Sequence, residues 1–393
     1  MKPRLLIATD NFAPRWDGIA RFLLEVLPAL KEVFDVTVVA PVFGQSRSTD
    51  DIIRVPLRSF SVGDFRPARH APRLIRRLVR ESDIVFTQTI GPIGGLALYF
   101  AQRAKKPSVA FIHSVEWELV SKAVSAASLK LVAKMAVLHI ARYLYRRADL
   151  LVLPSQNTLE FVNWHIGHVP KRVVHLGCDT KNFKAGAKRE AKDALGLPKD
   201  AIVVGYHGRL SREKDLVTLM RAFNRLQKSV KGVKLLIVGD GLESVRRALD
   251  REHVVLVGAR DDVVPYLQAM DIYVMPSLTE TTCLSVLEAM ACELPVIATR
   301  VGFVQDYIIS GKNGFLVRKR DPIELYRRMK YLAEHELVRS QVGKEARETV
   351  RKEFSWDETA TQVRDILVEV LGDRARHEDG AQTRSTTSAR RAE

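Results

Sequence analysis

Residues 272–291 read Ile-Tyr-Val-Met-Pro-Ser-Leu-Thr-Glu-Thr-Thr-Cys-Leu-Ser-Val-Leu-Glu-Ala-Met-Ala. Four apolar residues without polar alternation, 272–275, read as a strand covered on both faces. A loop follows, and a helix begins near Thr282–Leu284. The same order of short apolar run and helical pattern recurs along the chain. In the first half the runs fall at 5–10, 36–40, 83–87, 108–113 and 150–153; in the second they fall at 202–205, 234–239, 254–258, 295–298 and 314–317. Strands alternating with helices imply βαβ units and a parallel sheet. The pattern restarts near residue 200, after the stretch 186–200. The expected fold is therefore α/β, two doubly wound Rossmann-like domains over 1–180 and 181–371, with the last helix free to cross back to the first domain. Such sheets bind ligands at the carboxyl ends of their strands, so two of them face to face make a deep cleft. The tail 372–393 is polar and rich in Arg, Ser and Thr, and is expected to be disordered.

With 393 residues, 46% hydrophobic and 27% charged, the chain has the composition of a globular protein. No apolar run reaches the ~18 residues of a membrane span, and the N-terminus is too short for a signal peptide. Three cysteines, Cys178, Cys283 and Cys292, show no CxxC spacing. A disulfide framework or zinc site is not expected, and a reducing cytoplasm fits. The net charge is +16, and the first 180 residues carry 25 Lys and Arg against 15 Asp and Glu. That excess implies an anionic partner: nucleotide, membrane surface or nucleic acid.

Glu280 precedes the helix that begins near 282–284, and Glu288 lies inside it. The first-turn amides of such a helix are unpaired and its dipole is positive there, which suits a diphosphate. Two carboxylates flanking the amides have the chemistry to grip sugar hydroxyls. Upstream, Gly208-Arg209-Leu210-Ser211-Arg212-Glu213-Lys214 follows the strand at 202–207. A diphosphate leaving group is stabilised either by a metal, often held by Asp-x-Asp, or by fixed cations. The chain contains no Asp-x-Asp. Arg209 and Lys214 are the candidate cations, and neither metal nor cofactor is expected.

These segments together resemble the retaining family 4 glycosyltransferases of GT-B fold. The matching elements are Gly208-Arg209-Leu210 with Lys214, Ile237-Val238-Gly239-Asp240-Gly241, Pro276-Ser277, and the Glu280-x7-Glu288 pair. Glu288-Ala289-Met290-Ala291 running to Pro295–Thr299, Gly311–Val317 and Phe354-Ser355-Trp356 complete the series. The resemblance covers nearly the whole chain to about residue 370. There are departures: Thr282-Cys283 stands where Phe-Gly or Thr-Gly is usual, Gly302-Phe303 replaces Gly-Gly, Asp306 replaces a glutamate, and Asp215 follows the lysine. The resemblance implies that Glu280, His113, Arg209 and Lys214 serve the chemistry. It implies a donor site of Gly18, Arg209, Lys214, Gly258, Thr282, Cys283, Leu284 and Glu288, mainly in the C-terminal domain. Retention would arise by double displacement or by front-face attack, and both remain open.

In the first half, Asp17-Gly18 stands where the family has Gly-Gly, and Gly18 would let the backbone approach donor phosphates. The variant looks closest to members acting on lipid or lipid-linked acceptors. The run 108–113 ends in Phe111-Ile112-His113, where the family carries a histidine facing the donor sugar; His113 would donate a hydrogen bond to the sugar or to a carbonyl. His175 and His207 are read as structural. Residues 66–80 hold six arginines and no acid, and 119–148 hold six Lys and Arg, no acid and an apolar stripe. That pattern suits a helix lying on an anionic bilayer, or a core helix with a basic outer face. The expected partners are a GDP- or UDP-hexose and a lipid, lipid-linked or glycan acceptor, with a site in the cytoplasm or on the inner face of the membrane. Nucleic acid is not expected, because no basic-aromatic recognition motif is present. A sugar-nucleotide epimerase of GT-B fold and an inactive nucleotide-sugar-binding scaffold are the alternatives.

Overall fold

The computed structural model describes the chain except for residues 16, 45–46, 50, 61–65, 119–126, 281 and 390–393, with the side chains at 127–128, 375 and 377–389 also left aside. The chain divides into two units, Met1–His175 with Asp357–Glu393, and Leu176–Trp356. The first boundary falls slightly before residue 180.

The first unit is built on a seven-stranded parallel sheet of order β3-β2-β1-β4-β5-β6-β7. Its strands are β1 (Arg4–Ala8), β2 (Asp35–Pro41), β3 (Ile52–Val55), β4 (Ile84–Thr87), β5 (Ser108–Phe111), β6 (Leu150–Leu153) and β7 (Lys171–Val173). The five apolar runs read from the first half are its central strands. β3 and β7 lie at the two edges, are three or four residues long and carry Arg54, Lys171 and Arg172, so no apolar run marks them. Helices α1 (Gly18–Val33), α2 (Pro72–Glu81), α3 (Gly94–Arg103), α4 (Ala127–Tyr145) and α5 (Gln156–Ile166) are its crossovers.

The last helix of the chain, Trp356–Ala389, belongs to this unit. Thr359 donates to the His175 carbonyl at 2.7 Å. Arg172 grips Glu369 through both guanidinium nitrogens at 2.6 and 2.5 Å. The helix is continuous to Ala389, where a disordered tail is expected from residue 372; its polar turns carry no proline, and Arg376 pairs with Asp373 one turn away at 2.7 Å. Residues 390–393 of that tail lie outside the described residues.

The second unit carries a six-stranded parallel sheet of order β10-β9-β8-β11-β12-β13. Its strands are β8 (Ile202–His207), β9 (Val233–Val238), β10 (Val254–Gly258), β11 (Ile272–Met275), β12 (Val296–Thr299) and β13 (Phe315–Val317). Burial of β8, β9, β11 and β12 is nearly complete, which explains their unbroken apolar reading. A buried ion pair closes the amino-terminal end of this sheet. Lys192, in the helix α6 (Lys188–Ala194), contacts Asp271 at 2.7 Å and donates to the Ala201 carbonyl at 2.7 Å; Asp271 also accepts from the Val203 amide at 2.8 Å. Among the described residues, no helix is long and apolar enough to cross a membrane.

Removing one partner of such a pair leaves a buried charge uncompensated. Lys192→Leu should therefore lower the unfolding free energy by about 3–5 kcal/mol. Urea denaturation measures it, and a loss indistinguishable from zero would mean that Lys188, 3.2 Å from Asp271, compensates alone.

Candidate active site

In the second unit the chain runs outward from β8 to β10, then returns to β11 beside β8 and runs the other way to β13. The carboxyl ends of β8 and β11 thus flank the switch point of the sheet, where doubly wound folds bind ligands. After β8, Gly208 adopts φ +136 and turns the chain. A side chain at Gly239, which follows β9, would meet the Gly208 carbonyl at 1.9 Å, so glycine there lets the loop pack down. The loop ends in a 3-10 turn, Arg212–Lys214, and its Glu213 carbonyl accepts the Leu278 amide at 2.7 Å. The loops after β8 and β11 are therefore tied together by backbone.

That tie brings Lys214 to Glu280. Nζ donates to Glu280 Oε1 at 2.5 Å, and Ser277 Oγ donates to the same oxygen at 2.6 Å. Both charged side chains are largely buried. Burial alone would lower the lysine's pKa, but the Glu280 charge and hydrogen bond outweigh it and the pKa is raised. Arg209 opposes that rise by its own charge; it lies half-exposed, 3.3 Å from Glu213.

The helix α10 (Leu284–Ala291) begins beside them. Among the described residues no side chain caps it, so its positive end is open to an anion. Cys283 precedes it at φ +58, a left-handed conformation that costs a non-glycine residue about 1–2 kcal/mol. This is the physical reason for the glycine in the motif that Thr282-Cys283 replaces. Burial pushes the Cys283 thiol up to about 12, with the Glu280 charge adding to the effect, so it stays neutral. Thr282 is buried, and its carbonyl accepts from the Tyr307 hydroxyl at 3.0 Å. One turn into α10, Glu288 Oε2 lies 2.7 Å from His207 Nε2. Gly258, at the end of β10, has φ +82 and open space around it; its carbonyl accepts the Gly239 amide at 2.8 Å.

The switch point of the first unit, between β1 and β4, is arranged differently. Asp10 follows β1 and is fully buried. It accepts from the Thr89 hydroxyl at 2.6 Å and from the amides of Ile93 and Gly94 at 3.0 and 3.2 Å. Its carboxylate thus occupies the start of α3, and burial raises its pKa against those bonds. Asp17 does the same at α1, accepting from Ile19 and Ala20 at 3.0 Å each. Gly18 is the exposed first residue of that capped helix. His113 is buried just beyond β5, stacked on Phe111 with ring centroids 4.3 Å apart. Burial pulls its pKa down to about 3, so the ring is neutral. Its Nε2 lies 2.7 Å from Gln88 Oε1 and carries the proton. The donor capacity expected of His113 is therefore spent on Gln88, leaving Nδ1 as an acceptor with no partner among the described residues.

The family described as Glycosyltransferase Family 4 matches residues 16–182, and that described as Glycosyl transferases group 1 matches 201–335. The chain belongs to glycosyltransferase family 4, group 1. This enzyme is a hexosyltransferase that takes its sugar from a nucleotide-sugar. It is similar to GDP-mannose-dependent alpha-mannosyltransferase of Mycobacterium tuberculosis, 28% identical over 80% of this chain and 83% of the relative. Alpha-monoglucosyldiacylglycerol synthase of Acholeplasma laidlawii is 24% identical over 81% and 86%. D-inositol 3-phosphate glycosyltransferase of Saccharomonospora viridis is 31% identical, but that match spans only 51% of this chain and 50% of the relative. In fold, the glycosyltransferase matches HepE of Anabaena in complex with UDP at a TM-score of 0.74, with 18% identity over 93% of this chain and 100% of that one. The fold is GT-B.

Within each unit the sequence-expected residues divide into groups. In the second unit, Lys214 and Glu280 are in contact, with Thr282, Cys283 and Leu284 around the helix start; Glu288 is held by His207, and Arg209 is paired locally. In the first, His113 and Gly18 lie on separate elements. Sequence reasoning gave no part to Asp10 or Gln88, read His207 as structural and took Ser277 only as part of a motif. All four follow or close a strand at its carboxyl end, which was the available signal.

Glu116, three residues beyond His113, adds a pH-sensitive group to the first unit. The Tyr145 hydroxyl donates to its Oε1 at 2.5 Å, and its Oε2 is buried with no partner among the described residues. Burial pushes its pKa from 4.5 up to about 7. The folded state therefore binds more protons than the unfolded state between those values. Stability from this group is highest below pH 4.5, falls as pH rises to about 7 and stays low above it. Glu116→Gln should melt higher than wild type at pH 8, with the gap shrinking towards pH 5. Thermal unfolding at both values checks it; a gap that widens towards pH 5 would reverse the sign.

Proposed function

We propose that this glycosyltransferase moves mannose or glucose from a GDP- or UDP-linked donor to a lipid, lipid-linked or glycan acceptor, with retention of anomeric configuration and without a metal. The observation that carries this reading is the buried Lys214–Glu280 pair beside the uncapped start of α10. The donor diphosphate would take the open helix end and the lysine. As the anomeric bond to phosphate breaks and the acceptor oxygen takes its place, charge grows on the departing phosphate, which takes up the proton of the acceptor hydroxyl. Lys214 and Arg209 meet that charge. Glu280, released from Lys214, orients the transferred sugar, while Glu288 grips the ribose. Gly258, Thr282, Cys283 and Leu284 line the donor. The names of the mannosyl- and glucosyltransferase relatives support a hexose, and the second supports a lipid acceptor.

Transfer assayed in EDTA tests the fixed-cation account. Activity should survive chelation, and Lys214→Met should lose about 2–4 kcal/mol of transition-state stabilisation, as for loss of one oxyanion-hole donor. Activity that vanishes in EDTA and returns with manganese or magnesium would overturn it.

The acceptor side of this reading is a membrane surface on the cytoplasmic face. Arg73, Arg76, Arg77 and Arg80 are all exposed on α2, opposite a buried face of Ile75, Leu78 and Val79. Helix α4 exposes Leu129, Leu131, Val132, Met135 and Ile140 alongside Lys130 and Arg146. Residues 119–126 of that basic stretch lie outside the described residues. Trp164, on α5, is 85% exposed. Each basic residue near an anionic surface contributes about 1 kcal/mol, and salt weakens it. The enzyme should therefore float with anionic vesicles at low salt and less so at high salt. Replacing the four α2 arginines by serine should reduce flotation while sparing nucleotide binding. Wild type that stays soluble at low salt would point to a soluble acceptor.

A further inference from the structure

We propose that His207 is a positioning residue of the donor site, holding the Glu288 carboxylate in place for the vicinal hydroxyls of a ribose. The proposal rests on the reading of Glu288 as the ribose grip. His207 closes β8 and Glu288 lies on α10, so the pair joins one strand at the switch point to the helix that follows the other. Nε2 and Oε2 are 2.7 Å apart, with the two side chains 6% and 10% exposed. A carboxylate so far from water needs a donor in fixed geometry, and a charge-assisted N–H supplies it. An N–H given to Oε2 fixes the plane of the carboxylate that the ribose hydroxyls would meet.

Two observations separate this from ordinary core packing. His207 Nδ1 is buried and has no hydrogen-bond partner among the described residues. An unsatisfied buried polar atom costs about 1–3 kcal/mol, a cost that core packing alone gives no reason to bear. Its position is also fixed by the backbone: the Tyr273 hydroxyl donates to the His207 carbonyl at 3.1 Å, and the two rings lie 5.3 Å apart. The next residue is Gly208, from which the loop to Lys214 departs. His207 therefore anchors the carboxylate and the root of the basic loop at once.

Calorimetric titration of the full chain with UDP, GDP and their 2′-deoxy counterparts tests the role. His207→Leu should weaken the nucleoside diphosphate that wild type prefers by about tenfold or more, while the 2′-deoxy compound loses less. His207→Gln places an amide N–H near the Nε2 position and should recover most of the affinity. Added to Glu288→Ala, His207→Leu should cost nothing further, because it acts through that carboxylate. In turnover, KM for the donor should rise more than kcat falls. If folded His207→Leu binds like wild type, or its loss adds in full to that of Glu288→Ala, His207 only packs the core and this proposal fails alone. If wild type binds neither nucleoside diphosphate, the donor site itself is misread and the proposal falls with it.

Discussion

A parallel sheet with helices on both faces leaves its strands almost no contact with water except at their ends. That constraint governs where this chain places polar chemistry. In both units the central strands are mostly apolar and almost wholly buried, and many ionisable groups lie where the strands stop. At the carboxyl ends, the amides of the following helices add a second demand, since each uncapped helix start is a concentration of positive partial charge. Individual helix starts meet that demand differently. Asp10 supplies an anion at α3 and Asp17 at α1 in the first unit, and Asp321 caps the helix Pro322–Glu334 in the second. At α10, among the described residues, no side chain caps the start, and a lysine lies on the loop beside it.

Position along a strand, more than the chemistry of a pair, distinguishes structure from function here. The second unit contains two buried lysine–carboxylate pairs around β11. Lys192–Asp271 lies at the amino end, where Asp271 also takes the Val203 amide and Lys192 also gives to the Ala201 carbonyl. Every element of that cluster is fixed by neighbouring backbone, as a closing bolt requires. Lys214–Glu280 lies at the carboxyl end, on two loops joined by one backbone bond, with a serine as its further partner. Cys283 carries the remaining tension, a left-handed residue with a neutral thiol at the threshold of the helix.

The sheets were legible because burial on both faces removes polar alternation, and the runs at 36–40, 150–153 and 272–275 are direct readings of it. The edge strands 52–55 and 171–173 were not legible, since they are short and carry Arg54, Lys171 and Arg172, whereas the edge strands 254–258 and 315–317 of the other sheet are apolar and were read. The loop residues Glu280, Glu288, Arg209 and Lys214 stood out by spacing and charge type. Their partners did not: His207 reads as a single polar residue at the end of a strand, and Gln88 gives no sign of His113 twenty-five positions later. Such pairs depend on which strands become neighbours, and β8 neighbours β11 only because the chain reverses its direction of winding after β10.

The sequence by itself determined the alternation of strand and helix, the restart that makes two units, and the set of charged residues at strand ends. These are local matters, set by hydrophobic period and by residue type within a few positions. Only the tertiary structure decided which helix starts are already capped, that Lys214 is held by Glu280, that the His113 proton is directed to Gln88, and that His207 rather than solvent meets Glu288. The last three depend on burial and on contacts between residues 25 to 81 positions apart. No local pattern encodes such distances, because they follow from the order of strands in the sheet.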